Sequence, residues 1–304
     1  MSWVIGIDLG GTKIASGLVS PKNEIVAQSR IDTNADDGLE IVINRIADEI
    51  DSLKSHLPAG DTLAGVGICT PGPVDHITGD LLTLVNLPGI SNTPFQSTLQ
   101  EKLGIPVKLD HDAKVAALGE FHYGVGQDRE SMIYVVIGTG VGAAIIYDGN
   151  LLYGESNTAG ESGHMTVNPD GHACHCGSKG CLETYTSGPN LERHYANLAG
   201  ETIGGAEITQ RAIDGDNIAL QIMNEAGRAL GIAVASMAMM INIETFVIGG
   251  SVSQAGDVLL SVARETVPQY SFKAVGERIQ ILQSELGESA PILGGAWMAR
   301  EAIK

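Results

Sequence analysis

Positive charge is scarce in this sequence: 18 Lys and Arg stand against 36 Asp and Glu, a formal net charge of −18. No Lys/Arg cluster forms a local basic patch, so nucleic acid and anionic membrane surfaces are excluded as expected partners; an acidic surface repels polyanions. An anionic substrate would need locally aimed dipoles or a metal ion. Long apolar runs are missing too. The most apolar stretch, SMIYVVIGTGVGAAIIY at 131–147, falls short of a membrane span and is broken by glycines, so it reads as two strands joined by a turn. Residues 1–11 have no basic start, and Asp8 interrupts their apolar run, which argues against a signal peptide or anchor and predicts a cytoplasmic protein. No Ser/Pro-rich linker or low-complexity tract is present, so any domain boundary is expected to be a hinge, near 115–130.

Cysteine is equally sparse, and its placement is uneven. Three of the four lie between 174 and 181, inside ESGHMTVNPDGHACHCGSKGCLE at 161–183. In a reducing compartment such a cluster points to a metal rather than to a disulfide with one thiol left over. His164, Cys174, Cys176 and Cys181 supply one imidazole and three thiolates, a closed Cys₃His set that suits tetrahedral Zn²⁺. With no position left for water, the zinc is expected to be structural, bracing a loop too poor in apolar residues to hold itself still. His172 and His175 lie in the same loop and rank lower as ligands, because a Cys-x-Cys turn leaves His175 little freedom to face a metal that its neighbours hold.

Glycine, by contrast, is abundant at 39 residues, and its positions matter. WVIGIDLGGTKIASGLVS reads as a strand, a glycine turn and a returning strand, and MIYVVIGTGVGAAIIYDG repeats the device, so the chain looks internally duplicated. EIVAQSRIDT predicts a third strand. DDGLEIVINRIADEIDSLKSHL carries Leu39, Ile43, Ile46, Ile50 and Leu53 at helical spacing, with Asp36 or Asp37 as the expected cap. Further helices are predicted over 188–199, 207–214 and 217–243, and PILGGAWMAREAIK reads as an amphipathic helix that packs back on the first half.

Each glycine turn leaves backbone N–H groups free to face a phosphate. The first runs from Asp8 to Lys13 and the second holds Gly138, Thr139, Gly140 and Gly142; VIGGSVS at 247–253 adds a third glycine corner. One turn alone is an ordinary hairpin, but three offer separate places for the phosphates and base of one nucleotide. Neither a Gly-x-Gly-x-x-Gly helix start nor a Walker-type loop is present, so those nucleotide-binding readings lose ground. Asp8 is placed to hold Mg²⁺ through water. KLDHDAKVAALGE sets Asp110 and Asp112 where an apolar strand enters a helix. One of them can serve as a cap; the other would accept a proton from a hydroxyl attacking phosphorus.

Taken together, DLGGTK, TPGPVD, NLPG, DAKVAALGE, GTGVGAAI, ESGH, CHCGSKGCLE and VIGGSVS resemble the ROK family of sugar kinases and repressors across nearly the whole chain, the zinc segment being the most specific match. The resemblance implies an α/β protein of the actin/hexokinase-like (ribonuclease H-like) fold, with two domains around a cleft that closes on the sugar. Those domains would be residues 1–118, with a helix at about 291–304 packing back on them, and 119–290 with the zinc loop at 161–183. It implies an ATP- and Mg²⁺-dependent kinase for the 6-hydroxyl of glucose or a related hexose, and a homodimer. Asp112 would be the catalytic base. Pro71, Gly72, His111, Glu161, His164 and Glu183 would bind the sugar; Asp8, Gly10, Gly11, Thr12, Lys13, Gly138, Thr139 and Gly140 would face the phosphates and Mg²⁺, and Gly249 and Gly250 the adenosine. His164 would serve twice, one ring nitrogen on zinc and the other on the sugar.

Three residues depart from the family pattern. His111 and Lys114 stand where Asn is common, and Ile90 where an aromatic follows NLPG. One altered hydroxyl contact shifts sugar preference strongly, so an N-acetylmannosamine or other N-acetylhexosamine kinase is the alternative. Rival classes are a non-catalytic sugar sensor and a sugar-phosphate hydrolase using His111. A repressor ranks low, since the first strand starts too close to Met1 for a helix-turn-helix.

Overall fold

The computed structural model describes residues 2–84 and 86–304. The chain divides into two compact units: residues 1–127 together with 288–304, and residues 128–287.

In the first unit a near-continuous apolar strand, β1 (Trp3–Leu9), lies at the centre of a five-stranded sheet. β2 (Lys13–Val19) returns antiparallel beside it, and β3 (Ile25–Asp32) follows antiparallel on β2. On the other side β4 (Leu63–Thr70) pairs parallel with β1. α1 (Leu39–Lys54) precedes β4 and turns Val42, Ile43, Ile46, Ile50 and Leu53 into the core. Ile46 and Ile50 are fully buried, each stabilising the fold by about 1.5–3 kcal/mol. The cap expected of Asp36 or Asp37 is not made: both sit in a 3₁₀ turn, and Gly38, at φ 90°, starts the helix. Only glycine takes that backbone angle without strain, so the aspartates fall one step outside the cap, and Asp37 pairs with Arg45 at 2.7 Å instead.

α2 (Phe95–Leu103) leads into β5 (Val107–His111), parallel to β4, and α3 (Asp112–Tyr123) leaves directly from its end. The opposite face of the sheet is covered by the C-terminal helix Ala290–Ala302. That helix is not amphipathic as predicted. It is buried along most of its length, because glycine contacts let it approach both the sheet and α3: Gly67 meets Gly295, and Gly294 meets Val115, with no space for a Cβ. Arg300 fastens it, donating to the Ser20 carbonyl at 2.7 Å and to Asn23 Oδ1 at 2.6 Å.

The second unit repeats the opening device. β6 (Met132–Ile137) and β7 (Val141–Tyr147) form the hairpin, with β8 (Asn150–Leu151) at its edge. After α4 (Glu183–Thr186), α5 (Gly188–Ala199), α6 (Gly205–Ile213) and α7 (Asn217–Ile241), β9 (Thr245–Gly249) pairs parallel with β6. α8 (Asp257–Thr266), α9 (Lys273–Gly276) and β10 (Gln280–Gln283) complete a sheet of order β10-β9-β6-β7-β8. α7 is capped by Asp216, which accepts the Ala219 N–H at 2.8 Å, and stops at Asn242 in the left-handed conformation. Among the described residues no helix is long and apolar enough to cross a membrane.

Candidate active site

Parallel pairing decides what meets in the first unit. Because β1, β4 and β5 run the same way, their C-terminal ends lie side by side, the edge where open α/β sheets place ligands. Asp8 pairs with Cys69, Cys69 with Asp110, and Thr70 with His111, so the sheet gathers the start of DLGGTK, the start of TPGPVD and the start of α3. Asp112 is the first residue of α3 and is not its cap; that position belongs to His111, which makes no side-chain cap bond. The Asp112 side chain remains 45% exposed, open to a partner from outside the unit. Its Oδ1 accepts the Ala113 N–H at 2.6 Å and lies 3.3 Å from His111 Nδ1, in an alignment that makes no hydrogen bond. The His111 ring packs against Gly72, where any Cβ would strike it, so the Pro71–Gly72 loop and His111 line one surface beside Asp112.

Asp8 is held differently. Its Oδ1 accepts the Cys69 thiol at 3.2 Å. Burial pushes its carboxyl above the usual range, the thiol bond opposes that shift, and Asp112 adds to it. In the glycine turn Gly10 N–H donates to the Lys13 carbonyl at 2.9 Å, and Thr33 Oγ1 donates to the Gly10 carbonyl at 2.7 Å. Gly11 and Thr12 are exposed, whereas the Lys13 ammonium is ion-paired with Asp32.

In the second unit the turn between β6 and β7 is clamped from two sides. Gly188 N–H donates to the Gly138 carbonyl at 2.8 Å, and Val141 N–H donates to Glu183 Oε2 at 2.9 Å. Thr139 and Gly140 stay exposed. Gly250 has φ 84° and no room for a Cβ against the Ile137 backbone, and Gly249 lies on the Tyr134 hydroxyl. The third glycine corner is therefore packed onto β6, next to the turn.

His164, Cys174, Cys176 and Cys181 converge, with one donor atom of each within 4.8 Å of the others. His164 Nδ1 is 3.7 Å from Cys174 Sγ, and the Sγ atoms of Cys176 and Cys181 are 3.7 Å apart. Bonds of ~2.3 Å to sulfur and ~2.0–2.1 Å to nitrogen give a tetrahedron with edges of roughly 3.6–3.8 Å, so the donors fit a closed zinc site. Burial and the two neighbouring thiols push Cys181 up to about 12, whereas a backbone hydrogen bond at Ser178 and the Cys174 and Cys181 thiols draw Cys176 down; a bound dication would favour the thiolate of both. His164 turns Nδ1 to the cluster, Glu161 is exposed one turn before it, and Glu183 follows Cys181 closely in the chain. Thus His164 and Glu183 come together with the thiols in one unit, and Asp112, His111, Gly72 and Asp8 in the other. Two contacts lay beyond the sequence: the Cys69 thiol on Asp8, and His175, whose Nδ1 lies 3.3 Å from Glu183 Oε1. The strand-end position of Cys69 was a usable signal for the first; nothing marked the second.

Comparison with known proteins bears on this arrangement. The sequence profile of the ROK family matches residues 4–302. A glucokinase of Halalkalibacterium halodurans is 35% identical, over 98% of this chain and 95% of its own. A glucokinase of Thermotoga maritima is 33% identical, over 99% and 98% respectively. Among solved structures, a ROK family glucokinase from Streptomyces griseus in complex with glucose and AMPPNP superposes with a TM-score of 0.82 at 31% identity, covering 99% of this chain and 100% of that one.

Proposed function

The chain belongs to the ROK family, and on that premise we propose that it is an ATP-dependent hexose kinase that phosphorylates the 6-hydroxyl of glucose or a related hexose, with Asp112 as the base. The carrying observation is Asp112 itself: a carboxylate at a strand end that leaves the N-cap position to His111, takes one first-turn N–H on Oδ1 and stays 45% exposed, flanked by His111 and the Gly72 loop. Such a group accepts the hydroxyl proton as the oxygen attacks the γ-phosphorus. Pro71, Gly72, His111, Glu161, His164 and Glu183 are the residues assigned to the sugar.

The phosphates are assigned to Gly10, Gly11 and Thr12 and to Gly138, Thr139 and Gly140, and the adenosine to Gly249 and Gly250. Lys13 joins them once it releases Asp32. Backbone dipoles then do the work that a chain of net charge −18 cannot assign to a basic patch. Asp8 would hold Mg²⁺, which would offset phosphate charge when bound. The Cys₃His set would hold a structural zinc, and His164, with Nδ1 turned to that cluster, would present Nε2 to the sugar. The same reading makes the protein a cytoplasmic homodimer of two domains, a smaller N-terminal one with the C-terminal helix and a larger one with the zinc loop.

ADP release measured with ATP, Mg²⁺ and a panel of hexoses and N-acetylhexosamines tests the proposal. Turnover with glucose or another hexose is expected; release of phosphate from a sugar phosphate without ATP, or no turnover with any sugar, overturns it. Sedimentation velocity tests the dimer.

A further inference from the structure

Glu183 has a hydrogen bond on one oxygen and an imidazole nitrogen beside the other. Oε2 accepts the Val141 N–H at 2.9 Å, and Oε1 lies 3.3 Å from His175 Nδ1. The side chain is 10% exposed, and a Cβ on Gly140 would come within 2.8 Å of Oε2, so the glycine turn presses on the carboxylate from the other side. With the Val141 bond alone, the carboxylate could still swing about that contact; a second donor fixes its plane. His175 is well placed to be that donor. It stands between Cys174 and Cys176, two of the four clustered donors, so its backbone is tethered on either side, and its Nδ1 lies closer to Glu183 Oε1, at 3.3 Å, than to Cys174 Sγ, at 4.0 Å. Its side chain is 75% exposed, and its ring meets the His164 ring edge-on, centroids 5.4 Å apart. His175 therefore shares one surface with His164 and Glu183.

We propose that His175 is a positioning residue for sugar recognition: its Nδ1–H orients the Glu183 carboxylate so that the remaining lone pairs face the hexose hydroxyls. This rests on Glu183 being a sugar contact. A carboxylate has about four lone-pair sites, so two donors from the protein leave room for two hydroxyls. The competing geometry is a metal ligand, because Cys174, His175 and Glu183 also lie within 4.8 Å of one another. That set would strand Cys176 and Cys181, whose sulfurs already sit at a tetrahedral edge, and would compete with Val141 for Glu183.

His175→Ala, assayed as the zinc-loaded full chain, is expected to raise the hexose KM about tenfold, the scale on which orienting partners act. It should leave kcat and the ATP KM within about twofold, since only ground-state sugar binding is touched. Zinc per chain should be unchanged, and His175→Asn, which keeps a donor near the Nδ1 position, should restore most of the affinity. An unaltered hexose KM in His175→Ala, or loss of zinc from it, overturns the proposal, the latter in favour of a ligand role. A wild-type protein inactive on every sugar would instead defeat the kinase reading. The pairing is then read without substrate, from the His175 Nδ1 ¹⁵N resonance, assigned with His175→Ala. That resonance should move in Glu183→Gln, and an unmoved one overturns the orientation.

Discussion

The Cys69 thiol donates to Asp8 Oδ1 at 3.2 Å, across the parallel pair β1 and β4 at the edge where Asp112 also emerges. Cys69 is fully buried, and burial pushes its own ionisation well up, so at neutral pH it is a thiol and a donor. The bond favours the charged form of Asp8, against the burial that raises its pKa. Cys69→Ala removes the opposing influence. Asp8 should then ionise at still higher pH, and the acidic limb of the kcat/KM profile should move upward, with the loss of activity greatest on that limb. Cys69→Ser should recover most of it. A profile in Cys69→Ala that overlays the wild type would show that the thiol does not tune Asp8.

Asp112→Asn keeps the shape of the strand end and removes the proton acceptor. Turnover should fall by about 10²–10⁴-fold, the range for losing a positioned general base. Hexose affinity, measured by calorimetry in the absence of nucleotide, should stay within about threefold of the wild type, because the Gly72–His111 surface is unchanged. Retention of full activity would remove Asp112 from the chemistry.

The parts of this arrangement that were legible in the sequence are those encoded locally. A strand, a glycine turn and a returning strand need only short-range pattern, so both hairpins were readable, and the thiols announce themselves by spacing. Contacts set by register were not. Cys69 reaches Asp8 only because β4 pairs with β1 at that offset, and sequence patterning does not fix the offset of parallel strands joined by a long crossover. The C-terminal helix misled for a related reason: its pattern reads as amphipathic, whereas its glycines are where Gly67 and Val115 press against it. The start of α1 failed more locally, since Asp36 and Asp37 are good capping residues and only the positive φ of Gly38 displaces them.

The thiol cluster yields a prediction that separates sugar from nucleotide. Cys176→Ser removes one corner of the tetrahedron, and elemental analysis should show zinc lost from the purified chain. With His164 no longer oriented, the hexose KM should rise about 10–100-fold. Binding of a non-hydrolysable ATP analogue should change far less, because Gly138 is anchored by Gly188 and Gly250 is packed on β6, contacts that use no thiol. Full zinc content in Cys176→Ser, or equal losses of sugar and nucleotide affinity, would contradict the assignment.

His122 on α3 stacks on Trp297 of the C-terminal helix, with centroids 4.3 Å apart and an interplanar angle of 11°, while Phe121 meets it edge-on. Its Nε2 is buried without a hydrogen-bond partner among the described residues. Burial holds its pKa below the ordinary value near 6.5; Glu301 opposes that shift and Lys304 adds to it. Because the folded form binds the proton less readily than the unfolded chain, the neutral ring's contribution is fully present above about pH 6.5 and is lost as the pH falls toward the lowered folded value. The urea midpoint, followed with zinc kept saturating, should therefore decline from pH 7 to 5.5. His122→Phe preserves a ring against Trp297 but has no proton to take up, so its midpoint should fall less over the same range. If the two slopes coincide, the acid sensitivity of the fold arises elsewhere and the α3 contact is neutral to pH.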